Sequence, residues 1–468
     1  MSQREGIDMC RIRLCWLVAS IVSSIGSFSF AQERPNIVMI ISDDQAWTDY
    51  SYMGHADIET PNLDALAKRS VLFRRGYVPT ALCRPSLLTM ITGRYAHQHG
   101  VTGNDPSPKY SKRGTEDNNQ RRLDLIANVD KYPTLPRLLA EQGYRCHQSG
   151  KWWEGSFQRG GFTHGMTRGF PKPGGRHGDD GLKIGREGIE PVKEFIDSAV
   201  ADKKPFFVWY APFMPHTPHQ PPERLLKKYS AKIESESVAK YYAMCEWFDE
   251  TCGQLIDHLD EQNLRENTLI VYVCDNGWIQ NPNSRSFLPR SKQTPYEGGI
   301  RTPISFSWPR EFGPSDRSEL CSSIDITPTI LAAAGLEVDP KLPGLNLLSN
   351  LKENKAIERD TIFGETFAHD IADIKKPEAS LMYRWCIKGK WKLLLTYDGE
   401  AYTNRARFPR TDKRPQLFDL IADPQETKNL ASDHEALVAE LAQQIKQWYP
   451  LSERKTLDRW PVEGVESQ

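Results

Sequence analysis

Apolar residues in this chain fall into short unbroken runs separated by stretches of helical periodicity. Asn36-Ile37-Val38-Met39-Ile40-Ile41 reads as a buried central strand, and Phe206 to Tyr210 and Leu269 to Val273 read as two more. Between them, Thr60 is placed to cap a helix opened by Pro61 and carrying Leu63, Leu66 and Ala67. Thr134 starts another helix with Leu135, Leu138 and Leu139, which stops at Gly143. This alternation runs from residue 36 to about residue 350 and predicts an α/β sheet covered on both faces. There is no internal repeat. Beyond residue 350 the texture changes: a charged segment, Lys352-Glu353-Asn354-Lys355, precedes short strands at Trp391 to Leu395 and Gln416 to Leu420. Asp423-Pro424 then makes a turn, and an amphipathic helix spans Glu435 to Trp448. The organisation expected is a leader over 1–31, a large domain over 32–350 and a smaller C-terminal subdomain over 351–468.

Each of the three buried strands ends in polar residues. The first runs into Asp43-Asp44, the second into His216 by way of Pro212 and Pro215, and the third into Asp275-Asn276-Gly277. Ligands bind beyond the carboxyl ends of strands in open α/β sheets, so these groups can converge. Asp43, Asp44, Asp275 and Asn276 offer oxygen donors with no soft ligand beside them, a set that suits Ca²⁺ or Mg²⁺; strand-end Asp and Asn also serve as plain turn formers. Cys83-Arg84-Pro85-Ser86 precedes the apolar run Leu87 to Ile91, which puts a thiol at the start of a helix whose first amides can face an anion. A cysteine there can equally be a small buried hydrophobe.

Charge balance narrows the field. Lys plus Arg is 60 against 61 for Asp plus Glu, so bulk charge points neither to nucleic acid nor to an anionic membrane. Any anion binding must be local. The N-terminus carries Arg4, Arg11 and Arg13, an apolar run from Leu14 to Val22, and Ser29-Phe30-Ala31, the order of an export leader cut after Ala31. The run is too short to span a bilayer, and no later segment approaches the roughly 20 residues needed, so a periplasmic or secreted mature chain is expected. Removing the leader removes Cys10 and Cys15 and leaves seven cysteines, an odd number in an oxidising compartment. Cys245 and Cys252 lie two helical turns apart, about 10 Å along the axis, too far for an undistorted disulfide.

Taken together, these stretches resemble the type I sulfatases of the alkaline phosphatase-like superfamily. The Cys83-Arg84-Pro85-Ser86 segment with Thr92-Gly93-Arg94, Asp43-Asp44, Gly150-Lys151-Trp152, His216, Asp275-Asn276-Gly277 and Lys292 with Tyr296-Glu297-Gly298-Gly299 occur in the family's order. The resemblance implies a large mixed sheet sandwiched by helices with a smaller C-terminal α+β subdomain. It implies a sulfuric ester hydrolase whose Cys83 is oxidised to formylglycine by a formylglycine-generating or anaerobic sulfatase-maturating enzyme. A Ca²⁺ or Mg²⁺ would sit on Asp43, Asp44, Asp275, Asn276 and the modified Cys83, Lys151 and Lys292 would grip the sulfate, and His216 would protonate the leaving alcohol.

Two positions depart from the pattern. Leu87 stands where the family has an arginine, and Trp153 where it has a histidine that takes a proton when sulfate is expelled. Arg84 is a candidate to supply the missing charge, and His97, His99, His147 and His164 are nearby candidates for the missing base. Three readings follow. The first is a formylglycine sulfatase acting on an exported carbohydrate or aryl sulfate. The second is a phospho- or phosphonate-ester hydrolase using unmodified Cys83. The third is an inactive sulfated-glycan binder holding its ligand through Lys151, Lys292 and the basic loop Lys172-Pro173-Gly174-Gly175-Arg176-His177. Residues 154–185 and 364–370 are expected to line the substrate pocket.

Overall fold

In the computed structural model, which describes residues 34–108, 111–170, 175, 177–397 and 414–451, the main sheet has eight strands. They are β1 (Asn36–Ser42), β2 (Val71–Phe73), β3 (Arg145–Gly150), β4 (His164–Gly165), β5 (Phe206–Ala211), β6 (Thr268–Cys274), β7 (Ile304–Ser307) and β8 (Ser315–Arg317). Their spatial order is β8-β2-β7-β6-β1-β5-β3-β4. Strands β6, β1, β5 and β3 run parallel, while β7 lies antiparallel to both β6 and β2, so the sheet is mixed. The expected leader and Lys172, Pro173, Gly174 and Arg176 of the basic loop lie outside the described residues.

The unbroken apolar runs have a direct cause: the central strands feed two cores. In β1, Ile37, Met39 and Ile41 point into one cluster and Val38 and Ile40 into the other. In β5 the alternation is Phe207 and Trp209 against Phe206, Val208 and Tyr210. On the first face, Leu87, Leu88, Met90 and Ile91 of helix α2 (Cys83–Thr92) complete the core with Leu135 and Leu139 of α3 (Leu135–Glu141). On the second, α4 (Glu190–Ala201) and α5 (Glu236–Glu261) supply Val192, Ile196, Phe248, Cys252 and Leu255.

Helix α1 (Pro61–Lys68) begins after Thr60 as expected, but the Thr60 hydroxyl donates to Asp64 at 2.9 Å instead of capping. The cap comes from α5. Asp249 accepts from the amides of Asn62 and Leu63 at 3.1 and 2.7 Å.

A second sheet, antiparallel and four-stranded, is built from β9 (Thr361–Phe367), β10 (Leu381–Lys388), β11 (Trp391–Thr396) and β12 (Gln416–Asp419) in that order. Helix α6 (Glu435–Trp448) covers it with Leu441 and Ile445. A fully buried Lys392 on β11 joins this sheet to the segment carrying Lys292, with Glu297 at 3.2 Å and Glu426 at 2.8 Å. The seven described cysteines are all free thiols, and all are buried.

Candidate active site

The carboxyl ends of β1, β5, β3 and β6 open onto one point, and the start of α2 faces it. Cys83 is the first residue of α2, with Leu82 before it in extended backbone. The amide of the next residue, Arg84, donates to the Asn104 side chain at 3.1 Å. The Cys83 thiol lies 3.9 Å from a carboxylate oxygen of Asp43 and from one of Asp44, and 3.2 Å from Lys292 Nζ. Ligand atoms of Asp43, Asp44, Cys83 and His216 all fall within 4.8 Å of one another.

Backbone geometry holds these groups. Asp43 N–H bonds to the Met214 carbonyl at 3.0 Å and Asp275 N–H to the Ser42 carbonyl at 2.9 Å, so the three strand ends are laced together. Asp44 itself sits at φ 63°, a left-handed conformation that Asp tolerates better than most residues. Gly150 has φ 83°, and a Cβ there would lie 1.7 Å from the Ala211 carbonyl oxygen; only glycine lets Lys151 turn in at this point. On the other side Gln293 N–H bonds the Ala81 carbonyl at 2.8 Å, which fixes the Lys292 loop against the entry to α2.

Both lysines are buried and paired. Lys151 Nζ lies 2.6 Å from Asp43, and Lys292 Nζ lies 2.6 and 2.7 Å from the two oxygens of Asp44. Burial works against each charge, but the surrounding Asp carboxylates hold both lysines above their usual value. Burial pushes Asp43 well up, with Lys151 pulling down and Asp275 and Asp44 pushing up. The Cys83 thiol is likewise pushed up, first by burial and then by Asp275. A buried thiol of this kind is a poor thiolate.

Oxygens are left over in this cluster. Asp43 Oδ2, Asp275 Oδ2 and Asn276 Oδ1 are buried without a hydrogen-bond partner. Asn276 uses its amide on Asp44 at 2.7 Å, and Asp275 Oδ1 accepts the Asp44 N–H at 3.1 Å. Unsatisfied buried carboxylate and amide oxygens, with no nitrogen-rich or thiolate-rich set, fit a hard divalent cation such as Ca²⁺ or Mg²⁺.

His216 faces the same point from the β5 side. Its Nδ1 lies 2.6 Å from the Thr217 carbonyl, which can only accept, so Nδ1 carries a proton and Nε2, 3.3 Å from Asp44, is the nitrogen that can exchange one. Burial, then Lys151 and Lys292, lowers its basicity well below the ordinary histidine value. Its ring stacks on Phe213 at 4.2 Å.

All eight residues expected from the sequence, Asp43, Asp44, Cys83, Lys151, His216, Asp275, Asn276 and Lys292, therefore meet at one point. The two departures resolve differently. Leu87 is 4% exposed and belongs to the core beneath α2. Arg84 does not act as a free cation beside Cys83: Glu154 neutralises it through contacts of 2.7 Å at both Nε and Nη2. The four histidines suggested as replacements for the base at position 153 are engaged elsewhere. His97 pairs with Glu365 and stacks on Tyr449, His99 contacts Thr89, His147 packs on Phe195, and His164 contacts Arg145. Of the expected pocket segments, residues 154–185 bring Glu154 and His177 to the site. His369 approaches α2 through Asn104, 3.4 Å away.

Comparison with known proteins decides the family. The sulfatase family profile matches residues 35–336, most of the chain. This protein belongs to the sulfatase family. A second profile, that of the N-sulphoglucosamine sulphohydrolase C-terminal region, matches residues 290–450. Arylsulfatase A of Bos taurus is 26% identical over 472 residues, covering 89% of this chain and 87% of its own. N-acetylgalactosamine-6-sulfatase of Homo sapiens is 27% identical over 378 residues, covering 72% of this chain and 69% of its own. The crystal structure of Ps i-CgsB in complex with k-i-k-neocarrahexaose superposes with a TM-score of 0.69 at 25% identity, covering 89% of this chain and 92% of that one. This sulfatase is accordingly a sulfuric ester hydrolase of the alkaline phosphatase-like fold.

Proposed function

We propose that this sulfatase hydrolyses sulfate monoesters of a carbohydrate, using a formylglycine made from Cys83 and a divalent cation. The observation that carries the reading is the meeting of two buried lysines and one histidine around Cys83 and a partly unsatisfied oxygen cluster. Lys151 and Lys292 are charged point donors, suited to the oxygens of a bound sulfate. His216, with Nδ1 held by the Thr217 carbonyl, presents Nε2 to the same point and would pass a proton from it to the departing ester oxygen. The hydrated aldehyde would supply an oxygen nucleophile at the head of α2, 3.2 Å from Lys292 in the position the thiol now holds. The cation, on Asp43, Asp44, Asp275, Asn276 and the modified side chain, would offset the negative charge gathered there. Support for a carbohydrate comes from the N-acetylgalactosamine-6-sulfatase relative and the oligosaccharide complex. Export, with cleavage near Ala31, and maturation by a formylglycine-generating or anaerobic sulfatase-maturating enzyme complete the proposal. Among the described residues no helix is long and apolar enough to cross a membrane.

The test is release of inorganic sulfate from a panel of sulfated monosaccharides, with the mass of the Cys83 peptide measured in the same preparation. Metal-dependent release that tracks the aldehyde-bearing fraction and vanishes in Cys83→Ala is expected. Full release by protein whose Cys83 peptide is wholly unmodified overturns the aldehyde, and no release from any sugar sulfate overturns the substrate class.

A further inference from the structure

Two residues beyond Lys151 stands Trp153, whose indole Nε1 is buried with no hydrogen-bond acceptor. An indole nitrogen can only donate, so this side chain cannot accept a proton or a hydrogen bond in the pocket. A second imidazole is packed against it. The His177 ring meets Trp153 edge to face at 5.3 Å between centroids and stacks on Phe213 at 5.7 Å. Lys151 Nζ lies 5.2 Å from the centroids of these same two rings. Phe213 in turn carries His216 at 4.2 Å. Lys151, His216 and His177 thus share the Phe213 ring as a common wall.

The placement of His177 is fixed by its own backbone. Its carbonyl accepts the Trp152 N–H at 3.3 Å, and the next carbonyl, that of Gly178, accepts the Thr167 hydroxyl at 3.2 Å. A Cβ on Gly178 or Gly181 would come within 2.8 or 2.9 Å of the Gly150 carbonyl oxygen, so the chain after His177 is pressed onto the end of β3 that delivers Lys151. His177 is also only partly buried, whereas Lys151 is enclosed.

Resting on the sulfatase reading above, we infer that His177 is a further catalytic residue of this site: its imidazole hydrogen-bonds the sulfate group held by Lys151, a contact that the side chain at position 153 does not make. Two variants separate this from simple packing. His177→Phe keeps a ring against Trp153 and Phe213 but has no polar atom; His177→Gln keeps a donor and an acceptor but loses the ring.

Binding of inorganic sulfate to metal-loaded protein, read by calorimetry, is compared with kcat/KM for a sulfate ester and with the unfolding temperature. For His177→Phe, sulfate affinity and kcat/KM should both fall roughly 10- to 100-fold, the scale of one hydrogen bond to a charged group, with the unfolding temperature held. His177→Gln should retain most of both. A His177→Phe protein equal to wild type, or a loss in His177→Gln that exceeds the loss in His177→Phe, overturns the inference while leaving the sulfatase reading intact. A wild-type protein that neither binds sulfate nor cleaves any sulfate ester overturns the two together.

Discussion

Arg84 and Glu154 face each other through two parallel contacts of 2.7 Å, Nε to Oε1 and Nη2 to Oε2, with each side chain 3% exposed. The pair ties the first turn of α2 to the loop that follows Lys151. Fork-to-fork geometry makes it specific, and burial makes either partner costly when left alone.

Breaking this pair from one side should therefore cost more than deleting it. Glu154→Leu strands a buried guanidinium and is expected to lose about 3 to 5 kcal/mol of unfolding free energy, with the double variant Arg84→Met/Glu154→Leu recovering most of it. Denaturant unfolding of the two singles and the double closes the cycle. Additive losses would show that the two residues do not act as a unit.

The oxygen cluster should make stability depend on a divalent cation. Adding Ca²⁺ at about 100 times its dissociation constant is expected to stabilise the folded protein by roughly 2.7 kcal/mol, and chelation to remove that gain. Asp275→Ala should blunt the response, since Asp275 Oδ2 is one of the oxygens left over. A thermal unfolding curve that does not move with Ca²⁺ or Mg²⁺ in the wild type would rule the site out.

Lys292 and Lys392 are both buried lysines held by carboxylates, but only Lys292 reaches Cys83. Lys292→Met should reduce kcat by about 10²-fold or more, as loss of a charge aimed at the reacting group does. Lys392→Met should instead lower stability while the surviving folded fraction keeps its kcat. Steady-state rates corrected for the folded fraction distinguish the two outcomes, and equal kcat losses would contradict the assignment.

Two interior histidines set an acid limit on stability. Burial holds His99 and His147 down to about 3, against 6.5 for an ordinary histidine. The unfolded chain then binds more protons than the folded one between these values. The stability they protect is fully present above pH 6.5 and is lost progressively as pH falls towards 3, on the order of a few kcal/mol per residue. His147→Gln should flatten the dependence of unfolding temperature on pH between 6.5 and 4. An unchanged slope would mean that His147 is protonated without penalty.

Much of the site was legible because it is written in contiguous strands and the residues that end them. Asp43-Asp44, His216 and Asp275-Asn276 were placed by strand runs whose burial on both faces removes ambiguity about their direction. What escaped was whatever depends on pairing between distant segments. Asp249 caps α1 from 187 residues away, and nothing local marks it as a cap. Glu154 had no visible partner, so Arg84 read as a spare charge. Nearness along the chain to Cys83 or Lys151 does not bring a histidine to position 153. His147 lies on β3, but within the strand, with its ring turned onto Phe195 and away from the strand end that carries Lys151. His177, which does reach Trp153, was visible only as part of a basic loop.

Lys392 has consequences beyond the sheet it belongs to. Glu297, five residues after Lys292, also takes its backbone N–H to Glu426 at 2.7 Å, while Arg290 donates to the Glu426 carbonyl. Lys292 thus rides on a segment clamped by residues more than 90 positions further along the chain. A chimera of two sulfatases joined anywhere between residues 297 and 392 would take Glu297 from one parent and Lys392 and Glu426 from the other. Its crossover would keep the segment that carries Lys292 in place only where both parents supply the same three charges.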